Sequence, residues 1–348
     1  MQAVIQNFVW RHPHWIAACI CRGCFFMPIK EYQDFVFSLS DYEFDLLKQA
    51  VDSRIDKELF GFISYEEAAL YYKRKPTCPK CGSTKYHKDG ISNAKHIRYR
   101  CEDCDCSYTL LTNSIFNSAK LPFHKLMSYI QLMSFNVPLE LMSQILDIAP
   151  NTAELWRKKI FETVNDYQDY LILSDNVFID ETYIEDYEVL AIKDDKHLRG
   201  LSKSKICIVV AIDQYQNMIA TISGHGKPSS KRIIKALKTH IKQGSNIIHD
   251  GDHSHQQLID ELNCTDEIYK ANIKDKEYIK NMALINNMCA WLKRYIFHFT
   301  SMRVENLQSY LNWFIYSQRV KKQNDKWEKS SRIMRHLLLN ESRFTRKY

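Results

Sequence analysis

Asn176-Val177-Phe178-Ile179-Asp180-Glu181-Thr182-Tyr183-Ile184 has the apolar, β-branched character of a buried strand, yet two adjacent carboxylates, Asp180 and Glu181, interrupt it. A buried carboxylate without a partner is costly or shifts its pKa, so an acid in such a strand requires one, most simply a divalent cation. Downstream, Asp250 closes the short strand Asn246-Ile247-Ile248-His249 and is followed by Gly251, while Asn286 and Asn287 lie in the helical segment 281–299. Strand-end acids completed by one residue of a later helix form a divalent-metal site of the ribonuclease-H type. Taken singly, Asp180 also reads as a strand cap and Asp250 as a turn residue. Adjacent strand residues point to opposite faces, so Glu181 is expected to support the site indirectly or to face away from Asp180.

Around this stretch the pattern runs strand 176–184, strand 206–212, strand 218–223, helix 230–242, strand 246–249, helix 255–262, strand 267–271 and long helices from 281 on. Three leading strands, with Asp213 as a turn residue between the second and third, followed by alternating helices and strands, predict a ribonuclease-H-like α/β core over 170–318.

The chain has 348 residues, 45% apolar and 26% charged, enough for several domains with a sizeable core. Its formal charge of +7 is concentrated at the end: nine Lys or Arg and three acids over 320–348 contribute +6. The tail 319–348, with Trp327, Phe344 and Tyr348, suits phosphate-backbone contact with some stacking, or is a solvated helix face. Eleven cysteines, an odd number, do not form a disulfide framework and fit a reducing cytoplasm. The most apolar window, 15–29, is broken by Arg22 and too short for a membrane span, and no good export signal precedes it. Residues 1–26 lack clear periodicity. Met27 is a candidate native start, and the rival, a metal knuckle of Cys19, Cys21 and Cys24, lacks a matching pair. The segment 27–73 reads as short helices, with a capping box at Ser40-Asp41-Tyr42-Glu43.

Cys78-Pro79-Lys80-Cys81-Gly82 and Tyr99-Arg100-Cys101-Glu102-Asp103-Cys104 form two CxxC pairs separated by 19 residues. This spacing predicts a four-thiolate structural zinc ribbon over 74–110, with Cys106 outside it. A module this small folds with its metal. Lys80, Lys85, Lys88, Lys95, Arg98 and Arg100 would give it a basic surface suited to DNA, the alternative being a protein-docking ribbon. Over 111–168, helices at about 122–135, 139–146 and 152–164 with a short turn at 147–150 and Asn151 as N-cap predict a helix-turn-helix, or a plain three-helix packing unit. In the former, Asn151, Thr152, Glu154, Arg157 and Lys158 face the groove, and Leu155, Trp156 and Ile160 pack inward.

These motifs resemble insertion-sequence DDE transposases with an N-terminal zinc ribbon. The resemblance spans roughly 65–320 and is carried by the two knuckles, Ser114-Ile115-Phe116 with Lys120-Leu121-Pro122, Thr152 to Ile160, Ile179-Asp180-Glu181-Thr182-Tyr183, Asp250-Gly251, Ile285-Asn286 with Leu292-Lys293-Arg294, and Leu307 to Phe314. It implies a divalent-metal-dependent DNA strand transferase using Mg²⁺ or Mn²⁺, with Asp180 and Asp250 as the first two ligands. Many members carry Glu in the third place, seven residues before a Lys. Counting back from Lys293 gives Asn286, found in some members, with Asn287 the alternative register. Seven residues span nearly two helical turns, so Asn286 and Lys293 share a face, and Lys293 can reach a DNA phosphate. The implied partner is double-stranded DNA, as terminal inverted repeats and as target, bound by at least a dimer and acting on a chromosome or plasmid. Two rivals stay open: a zinc-ribbon DNA-binding regulator derived from an inactive transposase, and a metal-dependent nuclease or resolvase on the same core.

Overall fold

The computed structural model describes residues 29–93, 96–117, 119–186, 205–272, 274–299, 302–322 and 329–340. The candidate start at Met27, the segment 1–26 with its three cysteines, Lys95, and tail residues 323–328 and 341–348 lie outside these. The chain is a mixed α/β protein that divides into two compact units, Met1–Leu59 and Phe60–Tyr348.

In the first unit, α1 (Ile29–Ser38) is followed by α2 (Asp41–Phe60), whose last residue crosses the boundary. The capping box is present: the Ser40 N–H donates to Glu43 Oε2 at 2.9 Å and the Glu43 N–H to Ser40 Oγ at 3.4 Å.

The second unit begins with α3 (Tyr65–Tyr71), capped by Ser64, and an antiparallel sheet of β1 (Tyr86–Ile91), β2 (Ile97–Cys101) and β3 (Ser107–Thr109) in that order. Three helices follow: α4 (Phe123–Ser134), α5 (Leu139–Leu146) and α6 (Pro150–Glu162). Asp147, in the left-handed region at φ 49°, ends α5 and opens the turn into α6. The cap of α6 is Ala149, with Pro150 at the first helical position where its missing N–H costs nothing, so Asn151 lies inside the helix and is not its N-cap.

The larger sheet contains β4 (Asn176–Glu185), β5 (Lys205–Asp213), β6 (Met218–His225), β7 (Asn246–His249) and β8 (Thr265–Ile268), ordered β6-β5-β4-β7-β8. The first three pair antiparallel; β7 runs parallel to β4 and β8 parallel to β7. The intervening helices are α7 (Ser230–Leu237), shorter than the expected 230–242 because Ile241 instead bridges Leu173, and α8 (Gln256–Glu261). After β8 come α9 (Lys276–Asn281), α10 (Ala283–Phe297), α11 (Leu307–Lys322) and α12 (Lys329–Leu339). Asp213 is the expected turn residue, accepting from the Asn217 N–H at 2.7 Å and its side-chain amide at 2.8 Å.

Strand alternation divides the core. Val177 and Ile179 join a cluster with residues of α7 and α8, whereas Phe178 and Ile184 pack with the cluster that includes α10 and α11. The expected basic tail is partly a docked helix: Ile333, Met334, Leu337 and Leu338 of α12 are fully buried, and Lys329 Nζ donates to the Ser134 carbonyl at 2.8 Å.

Candidate metal centre

The last residues paired between β4 and β7 are Phe178 and Ile248, and two residues beyond each stands an aspartate, Asp180 and Asp250. Parallel register therefore delivers both carboxylates to the same end of neighbouring strands. Asp180 lies mid-strand rather than capping one. Gly251 turns the chain away at φ +86°, and a Cβ there would stand 2.8 Å from Ile268 Cγ2, so this position needs glycine twice over. Asp250 Oδ1 accepts from the Asp252 N–H at 3.0 Å, and Asp180 Oδ1 from the Glu181 N–H at 2.8 Å.

Asp180 looks toward α10. The Cys289 thiol faces it, and burial, then the Asp180 charge, push that thiol upward. Asn286 precedes Cys289 by three residues and Lys293 follows by four, so all three share one helix face over the acid. Asn286 Nδ2 approaches Tyr278 Oη at 3.4 Å. Asn287, the alternative register, is exposed and lines a different cavity with Trp291 and Arg319. Burial raises Asp180 to about 6, and the charges of Glu181 and Asp250 add to the rise. Neighbouring buried carboxylates whose charges raise one another are what a hard divalent cation satisfies, so the chemistry of Asp180 and Asp250 fits one, and Asn286 offers an amide on the helix that faces Asp180.

The opposite face of β4 carries Glu181 and brings it to two histidines that the sequence pattern did not single out. Glu181 Oε1 lies 2.8 Å from Nε2 of the fully buried His255. His255 Nδ1 is 3.0 Å from Nδ1 of His249, itself 2% exposed, and His249 Nε2 is 3.5 Å from Asp266 Oδ2. Burial works against protonation of His255, but Glu181 outweighs it and raises the pKa; burial and His255 lower that of His249. A nitrogen of each imidazole and an oxygen of Asp250 lie within 4.8 Å of one another. The signal was present in His249-Asp250-Gly251-Asp252-His253-Ser254-His255.

Cys78, Cys81, Cys101 and Cys104 converge, their sulfurs all within 4.8 Å, with Cys78 to Cys104 at 3.4 Å and Cys81 to Cys101 at 3.5 Å. Sulfurs tetrahedrally arranged around zinc stand about 3.8 Å apart, so the set is compatible with that ion. Gly82 at φ +72° and Asp105 at φ +57° make the two knuckle turns. Burial opposes ionisation of Cys78, yet the N–H groups of Cys81 and Lys80 and neighbouring thiols bring it down to about 6. The expected basic surface is partly neutralised: Asp89 Oδ2 lies 3.3 Å from Arg98 and 3.0 Å from Arg100, which also pairs with Asp105 at 3.1 Å.

On α6, Asn151, Glu154 and Lys158 are exposed and Thr152 is half-buried, with Lys158 paired to Glu154 at 2.6 Å. Trp156 and Ile160 pack inward as expected, and Leu155 partly so. Arg157 does not face a groove. It is 4% exposed, donates to the Val137 carbonyl at 2.9 Å and Met142 Sδ at 3.0 Å, and stacks 5.4 Å from the Phe299 ring centre. Its long apolar stem and planar head serve packing here.

Residues 172–318 match the ISXO2-like transposase domain, which supports the insertion-sequence DDE transposase that the motifs suggest. No curated protein matches the chain. Among solved structures, a chain of a cryo-electron-microscopy structure of the simian T-cell lymphotropic virus intasome in complex with PP2A regulatory subunit B56 gamma is similar at 12% identity, covering 60% of this chain and 74% of that one, with a TM-score of 0.29, too low to argue a shared fold. No helix among the described residues is long and apolar enough to cross a membrane.

Proposed function

We propose that the chain is an insertion-sequence transposase whose 170–318 core, of ribonuclease-H-like type, cleaves DNA at the element's ends and joins it to target DNA. The observation that carries this is the delivery of Asp180 and Asp250 to one end of adjacent parallel strands, beneath the helix face bearing Asn286 and Lys293, within the segment that matches the transposase domain. Asp180, Asp250 and Asn286 would hold Mg²⁺ or Mn²⁺, which when bound activates the attacking hydroxyl and stabilises the leaving oxygen. Lys293, one turn beyond Cys289, is placed to neutralise a backbone phosphate. Asn286 offers an uncharged amide oxygen where a carboxylate would bind more tightly, so the site depends on Asp180 and Asp250 for most of its attraction. The four thiols at 78–104 hold structural zinc. Helices α4 to α6 act as a helix-turn-helix on double-stranded terminal repeats, through Asn151, Thr152 and Lys158, and two DNA ends recruit at least two copies.

Cleavage and joining of DNA carrying the element's own ends, with Mg²⁺ or Mn²⁺, tests this. Asp180→Ala, Asp250→Ala and Asn286→Ala should lose activity at least 10²-fold, while Asn286→Glu retains it. Wild type that binds the ends without cutting would leave the DNA-binding regulator, for which Asn286 in place of a carboxylate is the motivating feature; cutting without joining would leave a nuclease.

A further inference from the structure

The two buried imidazoles beside Asp250 form a tight pair, and one nitrogen of each lies with an Asp250 oxygen inside a 4.8 Å cluster of the kind that can take a metal ion. Their Nδ1 atoms face one another at 3.0 Å, while each Nε2 is directed to a carboxylate, His255 to Glu181 at 2.8 Å and His249 to Asp266 at 3.5 Å. The Gly251 N–H points at His249 Nδ1 from 3.3 Å, which marks that nitrogen as the unprotonated one. Glu181 accepts the Nε2 proton of His255, so in the neutral ring Nδ1 of His255 is bare as well. A proton on Nδ1 of His255 makes this contact an ordinary hydrogen bond, and a metal ion would displace that proton to take both nitrogens. Ligating nitrogens on a tetrahedral ion, each about 2.0–2.1 Å from it, stand about 3.3 Å apart, close to the distance found. A histidine that binds a metal through one nitrogen characteristically gives its other N–H to a carboxylate, and Glu181 occupies that place for His255, while Nε2 of His249 is buried without a hydrogen-bond partner, 3.5 Å from Asp266.

We infer that His249, His255 and Asp250 form a binding site for a divalent transition-metal ion, with Glu181 as the carboxylate that orients the His255 ring. Two imidazoles favour a transition ion over Mg²⁺, whose preference is for oxygen. Asp250 would be common to this site and to the carboxylate pair of the proposed function, on which the inference rests only for that shared residue. The consequence is that one loop, 249–255, carries ligands for both faces of the sheet, and an ion bound behind Asp250 would hold that carboxylate in place for the one in front.

The test uses untagged full-length protein with the four-cysteine site kept zinc-loaded, and Mn²⁺ as the probe, since four thiolates compete poorly for it. Electron spin-echo spectroscopy on wild type should show ¹⁴N coupling to bound Mn²⁺, and His249→Ala and His255→Ala should lose that coupling and weaken Mn²⁺ at least about 10-fold. The wild-type spectrum needs no variant to fold. Asp180→Asn should keep the coupling. Bound Mn²⁺ that lacks ¹⁴N coupling and disappears in Asp180→Asn would overturn the inference while leaving the carboxylate site intact. No Mn²⁺ binding at all also overturns the inference, and the cleavage and joining of DNA ends then decides the proposed function separately.

Discussion

Gln168 pairs with both backbone groups of Ala220: its amide oxygen accepts from the Ala220 N–H at 2.8 Å and its amide nitrogen donates to the Ala220 carbonyl at 3.1 Å. Gln308 of α11 does the same one step along, accepting from the Ile222 N–H and donating to the Ala220 carbonyl, both at 3.1 Å. Two side chains thus stand where a sixth strand would pair with the outer edge of β6, blunting an edge that would otherwise template another chain. Gln168→Leu leaves the Ala220 N–H buried without a partner, while the carbonyl keeps Gln308. The expected cost is about 1–3 kcal/mol, read from denaturant unfolding, with increased aggregation on heating.

Asp180 sets a pH dependence whose sign is unusual for an acid. Its folded pKa of about 6 exceeds the ordinary 3.8, so it favours the fold below that ordinary value and costs stability as pH rises through about 6. Asp180→Asn removes the buried charge. Without divalent ions its unfolding free energy should exceed that of wild type above pH 6, by up to about 3 kcal/mol, with no advantage near pH 3. Adding Mg²⁺ at pH 8 should stabilise wild type and close the gap. A variant less stable than wild type at pH 8 without metal would contradict burial as the dominant influence.

Arg157 and Lys158 are neighbours with opposite expected phenotypes. Arg157→Ala removes a buried tie between α6 and the carbonyl that leads into α5, and should cost about 2–4 kcal/mol while leaving the salt dependence of DNA binding by the folded fraction unchanged. Lys158→Ala should leave stability within about 0.5 kcal/mol and lower the slope of log affinity against log salt by roughly 1 if Lys158 meets a phosphate. Chemical denaturation and binding titrations at three salt concentrations separate the two.

Gly251→Ala places a methyl where Ile268 Cγ2 is 2.8 Å away, on a backbone already at φ +86°. At least 1 kcal/mol of destabilisation is expected, together with weaker Mg²⁺ binding, since Asp250 is the preceding residue. Gly251→Ala with Ile268→Ala should recover part of the stability by relieving the contact but not the backbone strain. Calorimetric unfolding of the single and double variants distinguishes these contributions.

Cys101→Ser should release zinc and unfold the small sheet, with loss of dispersion in the amide resonances of residues 78–109, whereas Cys106→Ser should retain stoichiometric zinc. Cys106 lies outside the converging four and donates weakly to the Ser107 carbonyl at 3.8 Å.

Much of the larger sheet was legible because its signals are periodic and local. The runs 176–184, 206–212 and 246–249 fall within or coincide with β4, β5 and β7, and helix 139–146 is α5. Spacing alone brought out the four cysteines. Other features failed for physical reasons. Arg157 was assigned to the surface by its charge, but neighbouring turns enclose its stem. In α12 the basic residues masked an apolar stripe at 333, 334, 337 and 338 that docks the helix. The pairing of His255 with Glu181 joins residues 74 apart in the chain, and no local pattern announces it.

Because Asp180 and Glu181 are consecutive, β4 behaves like a text with two reading frames. Even positions from 178 to 184 address the α10 side, and odd positions from 177 to 183 address the α7 and α8 side. Deleting one residue between Phe178 and Asp180 would preserve the composition and much of the hydrophobicity of the strand, yet exchange the compartments into which the two carboxylates are delivered. The strand can tolerate conservative substitution far better than any change of count.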